Sequence, residues 1–461
     1  MKKNILARNP ISHINKSLYE GEISVVNIAE EVISNYESSN SSQNAFVEFN
    51  DERIIQSALK IDADLKDNKF SALSGIPISV KDLYGVDSYK TRAGTPKELP
   101  KKWEAQGPLI NILEQNNALF TGKTHTVEFA FGGVGINPHW GTPINPWDKK
   151  NHRAPGGSSA GAGVSLCSNT ASVALGTDTA GSVRIPASVT GNVGLKTTKN
   201  RWSTDGIVPL SKSFDTPGIL TNTVEDAIYT FEELDKTKFY HTKTKDDVIN
   251  KDIKFTVATY DWFFEKCEDG IDTEILQIIK KIESKNKVIN IKSIDEIDES
   301  YHLFTKGGLA AAEFASFING EMIQMKDSLD PNVSFRIKDL HSFSAIEYLQ
   351  RKDRLENISL SIQEKFDEFD IILTPTVPIS PPEVRELIDP KKYSEANGLM
   401  LRNTSPINLL GLSAITIPVA LDNNNMPIGL QLIAPAYSEV KLLSVASAIE
   451  SLIGNKYENL L

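Results

Sequence analysis

The sequence predicts an α/β fold in which a central β-sheet is covered by helices on both faces. Short apolar segments typical of buried strands alternate with longer amphipathic segments along the whole chain. A chain of 461 residues is long enough for one large domain or for two to three ordinary ones. Because no fixed-period repeat and no long linker interrupts the pattern, we expect a single domain spanning residues 1–461.

Short apolar segments predict the strands of this sheet. Segments such as IPISV and AITIPV are too short for helices and lie next to turn residues. We expect strands at residues 76–80, 118–123, 172–175, 254–259, 371–374, 414–419 and 430–433.

Longer segments in which apolar residues recur every three or four positions predict the helices. Ile28, Val32 and Tyr36 follow this spacing within residues 14–65, where we expect two or three helices. Turn residues predict loops at residues 71–75, 129–152 and 176–181. We expect further helices at residues 108–117, within 157–168, from 182 onward, at 224–234, at 272–284, over most of 306–370 and at about 438–452.

Four parts of the predicted domain differ in their patterns. Residues 1–70 form an N-terminal helical segment, and residues 71–235 form a core with most of the small-residue motifs. Residues 236–370 form a variable helical region, and residues 371–461 supply C-terminal strands and a closing helix.

The composition argues against several classes of protein. A formal charge of −11 and a pI near 5.3 are unlike the basic faces that bind nucleic acid, so we expect no direct nucleic-acid partner. The N-terminus lacks the apolar run of a signal peptide, and no apolar run of about 18 residues exists. We therefore expect a cytoplasmic protein without membrane association.

The sequence contains no grouping of metal ligands. Cys167 and Cys267 are the only cysteines, which argues against a disulfide framework and a cysteine-based metal site. The seven histidines show neither H-x-H nor H-x-x-x-H spacing. We therefore expect no metal and no cofactor.

Residues 154–196 hold two loops of small residues, GGSSAG at 156–161 and GTDTAGS at 176–182. Such concentrations of Gly, Ala, Ser and Thr let a backbone approach another backbone or a ligand closely. The serines of these loops are therefore candidates for chemistry, and each needs an activating base.

The segment 157–161 matches G-x-S-x-G, the nucleophile elbow of α/β-hydrolases. That motif follows a strand, whereas residues 150–156 (KNHRAPG) do not resemble one. The downstream histidines, His241, His302 and His341, lack supporting context. The elbow is therefore the weaker hypothesis.

Residues 122–124 (Gly-Lys-Thr) resemble the end of a phosphate-binding P-loop. The first glycine of that motif is replaced by Asn117, so the loop cannot form in the usual way. A nucleotide site is not favoured.

Lysine is the alternative base for the serines. A lysine accepts a proton only when it is neutral, which requires burial and a lowered pKa. Lys81 follows the predicted buried strand 76–80 and fits this requirement. Considered alone, Lys81 would be interpreted as a solvated lysine at the end of a strand. The buried strand and the serine loops together favour the interpretation of Lys81 as the base.

The two loops then divide the remaining roles. Ser182 follows Thr179, Ala180 and Gly181, whose backbone N–H groups can converge at a helix start as an oxyanion hole. Ser182 would be the nucleophile, and Ser158 could pass a proton between Lys81 and Ser182. The competing interpretation is a pair of tight turns without chemistry.

The segment from Pro155 to Lys196, PGGSS…ALGTDTAGSVRIPAS…VGLK, resembles the signature of the amidase signature family. The resemblance continues, in order, through nearly the whole chain, and it implies an α/β/α domain with a mixed sheet and a catalytic core at residues 71–235. The other matching segments are GIPISVKD at 75–82, EFAFGGVGINPHWGTPINPWD at 128–148, DGIVPLSKSFDTPGILTNTVEDA at 205–227, ILTPTVP at 372–378 and NLLGLSAITIPVALDNNNMPIGLQLIAPA at 408–436.

The resemblance implies a Ser–cis-Ser–Lys triad. The family's nucleophile falls on Ser182, its bridging serine, with a cis peptide bond before it, on Ser158, and its lysine on Lys81. Its oxyanion hole falls on the backbone of Thr179, Ala180, Gly181 and Ser182. Ala180, Ala160 and Asn192 depart from commoner family residues, but none of them removes a catalytic group.

The activity that the resemblance implies is hydrolysis of the C–N bond of a small carboxylic or ureido-type amide through an acyl-enzyme. The alternatives are the glutaminase A-subunit of a tRNA-dependent amidotransferase and a non-catalytic relative, which the intact Lys81, Ser158 and Ser182 disfavour. The segment NPHWGTPINPWD resembles the hydrolase branches more closely. The sequence leaves the oligomeric state open, and a homodimer is compatible with it.

Candidate substrate contacts lie outside the triad. Ala130, Phe131 and Gly132 belong to the segment before the signature, and Phe129, Phe131 and Trp140 could wall a pocket. Arg184 is either a structural ion-pair partner or a carboxylate clamp. Arg354 lies where glutaminase members place a substrate-carboxylate arginine. Residues 236–330 match nothing sharply and could carry specificity.

Overall fold

The computed structural model describes residues 5–454 except residues 8, 68, 236–252, 339, 341 and 342. The strands are β1 (Phe46–Glu48), β2 (Pro77–Lys81), β3 (Leu119–Thr124), β4 (Val173–Asp178), β5 (Val193–Lys196), β6 (Thr216–Thr221), β7 (Thr256–Tyr260), β8 (Lys287–Ile291), β9 (Ile371–Pro375), β10 (Ser413–Leu421) and β11 (Pro427–Ala434). The first helices are α1 (Ile11–Tyr19), α2 (Val25–Gln43), α3 (Asp51–Lys66), α4 (Pro108–Gln115), α5 (Ala160–Cys167), α6 (Arg184–Thr190) and α7 (Val224–Leu234). They are followed by α8 (Ile271–Glu283), α9 (Asp295–Thr305), α10 (Leu309–Glu321), α11 (Pro331–Lys338), α12 (Ala345–Lys365), α13 (Pro390–Arg402), α14 (Ser405–Leu409) and α15 (Glu439–Ile453).

Within the described residues, 11 strands form one mixed sheet in the order β1-β3-β2-β4-β6-β5-β10-β11-β9-β7-β8. Strand β2 runs parallel to β3 and β4, and β7 runs parallel to β8 and β9. The other neighbours are antiparallel. Strand β10 pairs with β5, so the C-terminal strands join the same sheet as the core strands. The α/β fold with a mixed sheet is confirmed.

Both faces of the sheet are covered, because successive side chains of a strand point to opposite faces. In β4, Val173 and Leu175 join the large cluster that includes α4, α7, α8 and α15. Ala174, between them, packs with Ala162 and Leu166 of α5 on the other face. Helix α5 is built of small residues because it lies against backbone: a Cβ on Gly161 would lie 2.1 Å from the carbonyl oxygen of Ala45.

Most predicted elements are present with shifts of a few residues at their ends. Helix α7 has the predicted bounds, and the Thr223 hydroxyl caps it by accepting from the backbone N–H of Asp226 at 3.1 Å. Helix α6 begins at Arg184 rather than at Ser182, and β4 continues through Asp178 into the predicted loop.

Four strands were not predicted: β1, β5, β6 and β8. Strand β1 has only three residues, and β5 has four and follows the left-handed Gly191 that ends α6. Strand β6 reads TPGILT, and its Pro and Gly are residues that strands usually exclude. No residue of strand β8 is fully buried, and Lys287 and Asn290 are exposed, so its sequence contains no long apolar run.

Candidate active site

The ends of two parallel strands place the central residues of the site. Lys81 ends β2, and β4, its parallel neighbour, leads through Asp178 into the loop that carries Ser182. Carboxyl ends of parallel strands meet at the same edge of a sheet, where open α/β folds place their sites. The topology therefore brings Lys81 and Ser182, about a hundred residues apart in the sequence, to one edge.

Lys81 is fully buried and contacts the predicted bridging serine. Its Nζ donates to the Ser158 hydroxyl at 2.7 Å and to the Thr177 hydroxyl at 2.8 Å. Burial lowers the pKa of Lys81 from 10.5 to about 7, although the carboxylates of Asp215 and Asp178 oppose the shift. Near neutral pH this amine can therefore take up a proton.

The two serine loops are held against each other through Ser159. Its backbone N–H and its hydroxyl both donate to the Ser182 carbonyl oxygen, at 3.3 and 2.5 Å. The peptide bond Gly157–Ser158 is cis, as expected. The Ser182 hydroxyl makes no hydrogen bond within the described part of the chain, and Ser182 lines the main cavity. Its hydroxyl is therefore open to a ligand.

The nucleophile-elbow hypothesis is not supported. Ser159, its central residue, uses its hydroxyl for the loop contact, and only an isolated bridge at Arg153, not a strand, precedes it. His302 is exposed on α9, whereas His241 and His341 lie outside the described residues. The P-loop match fails as well, because Lys123 is buried inside β3 and lies 3.2 Å from Asp82.

The structure corrects one member of the predicted oxyanion hole. The Gly181 N–H donates to Oδ1 of Asp178 at 2.7 Å and is already engaged. The N–H groups of Thr179, Ala180 and Ser182 have no acceptor among the residues that the structure describes. The Thr179 hydroxyl donates to Asp215 at 2.6 Å, which fixes the start of the loop. Three candidate donors for an oxyanion therefore remain.

The main cavity has a volume of about 580 Å³ and is walled mostly by apolar groups. Ala130, Phe131 and Gly132 line it, as predicted. Phe129 does not, because it is buried against Phe314, 5.3 Å away between ring centroids.

Trp140 also stays outside the cavity. Its indole N–H donates to the carbonyl oxygen of Thr95 at 2.8 Å, and the side chain is absent from the described lining. Trp140 therefore supports a loop.

The family model described as Amidase matches residues 27–443. The chain belongs to the amidase family. It is 43% identical over 412 residues to "2-amino-5-chloromuconic acid deaminase" from Comamonas testosteroni, covering 89% of each chain. It is 28% identical to the A-subunit of a glutamyl-tRNA(Gln) amidotransferase from Halothermothrix orenii, covering 86% of this chain and 87% of that one. Members of this amidase family are hydrolases of C–N bonds, and the higher identity favours the hydrolase branch over the glutaminase component.

The fold of the amidase agrees with a solved relative. A crystal structure of an amidase superposes with a TM-score of 0.85 and 25% identity, covering 97% of this chain and 100% of that one. Among the helices that the structure describes in this amidase, none is long and apolar enough to cross a membrane.

Arg184 of the amidase does not line the cavity, which contradicts its assignment as a substrate contact. The side chain is fully buried, and its Nε and one terminal nitrogen donate to the two Asp178 oxygens at 3.0 and 2.9 Å. It also donates to Gln431 and Asn408. The Arg184 guanidinium holds the pKa of Asp178 well below its usual range despite the opposing effect of burial. Arg184 is therefore the structural ion-pair partner that the sequence left as an alternative.

The prediction of Arg354 as a substrate contact is also wrong, because Arg354 does not line the cavity. It lies on the exposed face of α12 and pairs with Glu299, to which one terminal nitrogen donates at 2.6 Å. Arg336 of α11 lines the cavity instead, with its guanidinium 4.8 Å from the centre of the Phe131 ring. Sequence reasoning missed Arg336 because only packing of α11 against the core brings it to the site.

Replacing Arg184 by methionine is expected to lower the free energy of unfolding by about 3–5 kcal/mol, because it leaves Asp178 charged, buried and without its cation. Urea unfolding followed by circular dichroism measures the change. Arg354→Met is the control, since it removes an exposed arginine and is expected to leave the unfolding midpoint in place. Equal midpoints for both variants would contradict the structural role of Arg184.

Proposed function

We propose that this amidase hydrolyses its substrate through an ester on Ser182, with neutral Lys81 as the base. The observation that carries the proposal is the buried Lys81 amine, which lies 2.7 Å from the Ser158 hydroxyl. The neighbouring Ser159 holds the loop of Ser182, whose hydroxyl is open to the cavity. Lys81 takes the proton of Ser158 while Ser158 takes that of Ser182, and the Ser182 oxygen bonds to the carbonyl carbon. The N–H groups of Thr179, Ala180 and Ser182 are the proposed donors to the oxyanion.

Bond cleavage then uses the same protons in reverse. Protonated Lys81 returns a proton through Ser158 to the departing nitrogen, because an amide anion is too basic to leave unaided. Water then attacks the Ser182 ester and gives one proton to Lys81 through Ser158. The bond between the carbonyl carbon and the Ser182 oxygen breaks, the relay returns that proton to the Ser182 oxygen, and the acid leaves. The balance is one amide and one water in, one acid and one amine or ammonia out, with no cofactor.

The cavity favours a small substrate that carries negative charge. Arg336 and Lys306 line it, and no Asp or Glu does so among the described residues. This contrasts with an overall charge of −11. The Comamonas relative is named for deamination of an acid. We therefore propose that the substrate is an anionic carboxylic amide that releases ammonia, or a ureido compound that carries the same charge. The cytoplasmic location and the homodimer remain predictions from the sequence.

Ammonia release by the isolated chain from succinamate, butyramide, a ureido acid and glutamine tests this proposal. We expect turnover without a second polypeptide, and a higher kcat/KM for succinamate than for butyramide. Turnover restricted to glutamine, and only with a tRNA-binding partner, would overturn it in favour of the glutaminase component of an amidotransferase.

Arg336→Leu is expected to raise KM for succinamate about 10- to 100-fold, because the substrate carboxylate loses its guanidinium partner. KM for neutral butyramide should change by less than about threefold, since leucine keeps most of the apolar packing on Phe131. Steady-state kinetics on both amides measures the split. Arg354→Leu, which removes an exposed arginine, should change neither value, and a uniform loss on both amides in Arg336→Leu would argue against charge recognition.

A further inference from the structure

We propose that Asn397 recognises a second carbonyl or carboxylate oxygen of the substrate, and this rests on the function proposed above. Asn397 lies on α13 and lines the main cavity, yet only 8% of the residue is exposed. A buried side-chain amide in an apolar wall needs partners for both of its ends. Only one end has a partner among the described residues.

The orientation of the Asn397 amide is fixed by its contact with the backbone of Gly133. The Gly133 N–H donates to Oδ1 of Asn397 at 2.8 Å. A backbone N–H requires an acceptor, so the oxygen and not the nitrogen must lie on this side. The Nδ2 group therefore lies on the other side of the amide.

The Nδ2 group of Asn397 has no acceptor in the parts of the chain that the structure describes, although the oxygen of the same amide is held by Gly133. This nitrogen does not belong to the fully buried polar atoms that lack a hydrogen-bond partner, so part of its surface remains accessible. A donor on a cavity wall that lacks a protein acceptor can donate a hydrogen bond to an oxygen of a bound ligand.

The surroundings place a cation on the same wall. Tyr393 precedes Asn397 by one helical turn on α13, so the two side chains share a face. Burial raises the pKa of the Tyr393 phenol, and the charge of the Arg336 guanidinium acts on this hydroxyl by opposing that rise. The same hydroxyl lies 2.9 Å from the Cβ position that Gly132 lacks. A neutral donor and a guanidinium are thus presented near Gly132 and Gly133. This pair fits an acid group or carboxamide distant from the scissile bond, which gives the half-amide or diamide of a dicarboxylic acid as the substrate class.

The test uses two neutral amides of similar shape, succinamide and 4-methylpentanamide, which differ in the second carbonyl group. Wild-type protein is expected to favour succinamide in kcat/KM by about tenfold or more. Asn397→Asp keeps an oxygen for the Gly133 N–H but replaces the donor, and it should lower this preference about tenfold. Using neutral substrates separates loss of the donor from repulsion between two carboxylates.

Asn111→Asp is the matched control, because it makes the same exchange on an exposed residue of α4 outside the cavity and keeps the oxygen that accepts from Gln106. It should leave the preference unchanged. Equal loss on both amides in Asn397→Asp, with the ratio kept, would assign Asn397 a structural role only. If that variant fails to fold, the ratio of kcat/KM for succinamide to kcat/KM for 4-methylpentanamide in the wild-type protein is the test. An active wild-type enzyme without a preference for succinamide would overturn the Asn397 assignment. The same result would leave the proposed chemistry at Ser182 in place.

Discussion

Replacing Ser182 by alanine is expected to lower kcat/KM for ammonia release by at least about 10⁴-fold, because the attacking oxygen is removed and no ester can form. Residual rate would come from substrate binding and from the N–H groups of the loop. Ser182 is 4% exposed and its hydroxyl makes no bond in the described chain, so alanine should leave the fold intact. Single-turnover assays and intact-mass spectrometry after treatment with an activated ester measure rate and adduct.

Ser165→Ala is the control for Ser182→Ala. Ser165 is fully buried and shares a hydrogen bond of 2.8 Å with Ser79, outside the cavity lining. Its hydroxyl also donates to the Ala162 carbonyl oxygen at 2.7 Å. The Ser165→Ala variant should retain both the rate and the adduct within about threefold, since the two neutral hydrogen bonds that it loses involve no residue of the cavity lining. An adduct that persists in Ser182→Ala and disappears in another serine variant would refute the nucleophile assignment.

The sequence predicted elements whose signals are local. Helix α7 carries its cap in Thr223 and its apolar period within eleven residues, and its bounds were predicted as observed. Strand β9 is apolar on both faces and was also predicted. Strands β6 and β8 were not predicted because pairing with neighbouring strands stabilises them. A local sequence pattern contains no information about that pairing.

The same distinction holds at the candidate site. Lys81 and the serines lie in short motifs that can be recognised from the sequence: a lysine after an apolar strand, and serines in loops of small residues. The Gly181 N–H looked available, but the neighbouring Asp178 folds back onto it, and sequence does not reveal which way a carboxylate turns. Arg336 and Asn397 come from α11 and α13, far from the signature in the chain, so only tertiary packing discloses them.

The pH dependence of kcat/KM is expected to follow the protonation of Lys81. Its pKa is lowered to about 7 by burial, so the reactive neutral amine is the minor form below pH 7 and the major form above it. The rate should therefore rise about tenfold between pH 6 and pH 8 and then level. Lys196 is also fully buried, with a pKa lowered to about 7, but it lies outside the cavity lining and donates to the Leu412 carbonyl oxygen. Lys196→Met should therefore keep the same inflection.

Lys81→Met is expected to abolish this pH-dependent rise and to lower kcat/KM by at least about 10³-fold, because no base remains to take the Ser158 proton. The fold should survive. Between pH 7 and 10.5 the unfolded chain binds a proton at Lys81 that the folded chain does not, so this lysine makes wild-type stability fall as the pH falls through that range. Methionine removes that dependence, and thermal unfolding at pH 7 should give a Tm no lower than that of wild type. A variant that is folded by this measure and still active, with the inflection near pH 7 retained, would show that another group is the base.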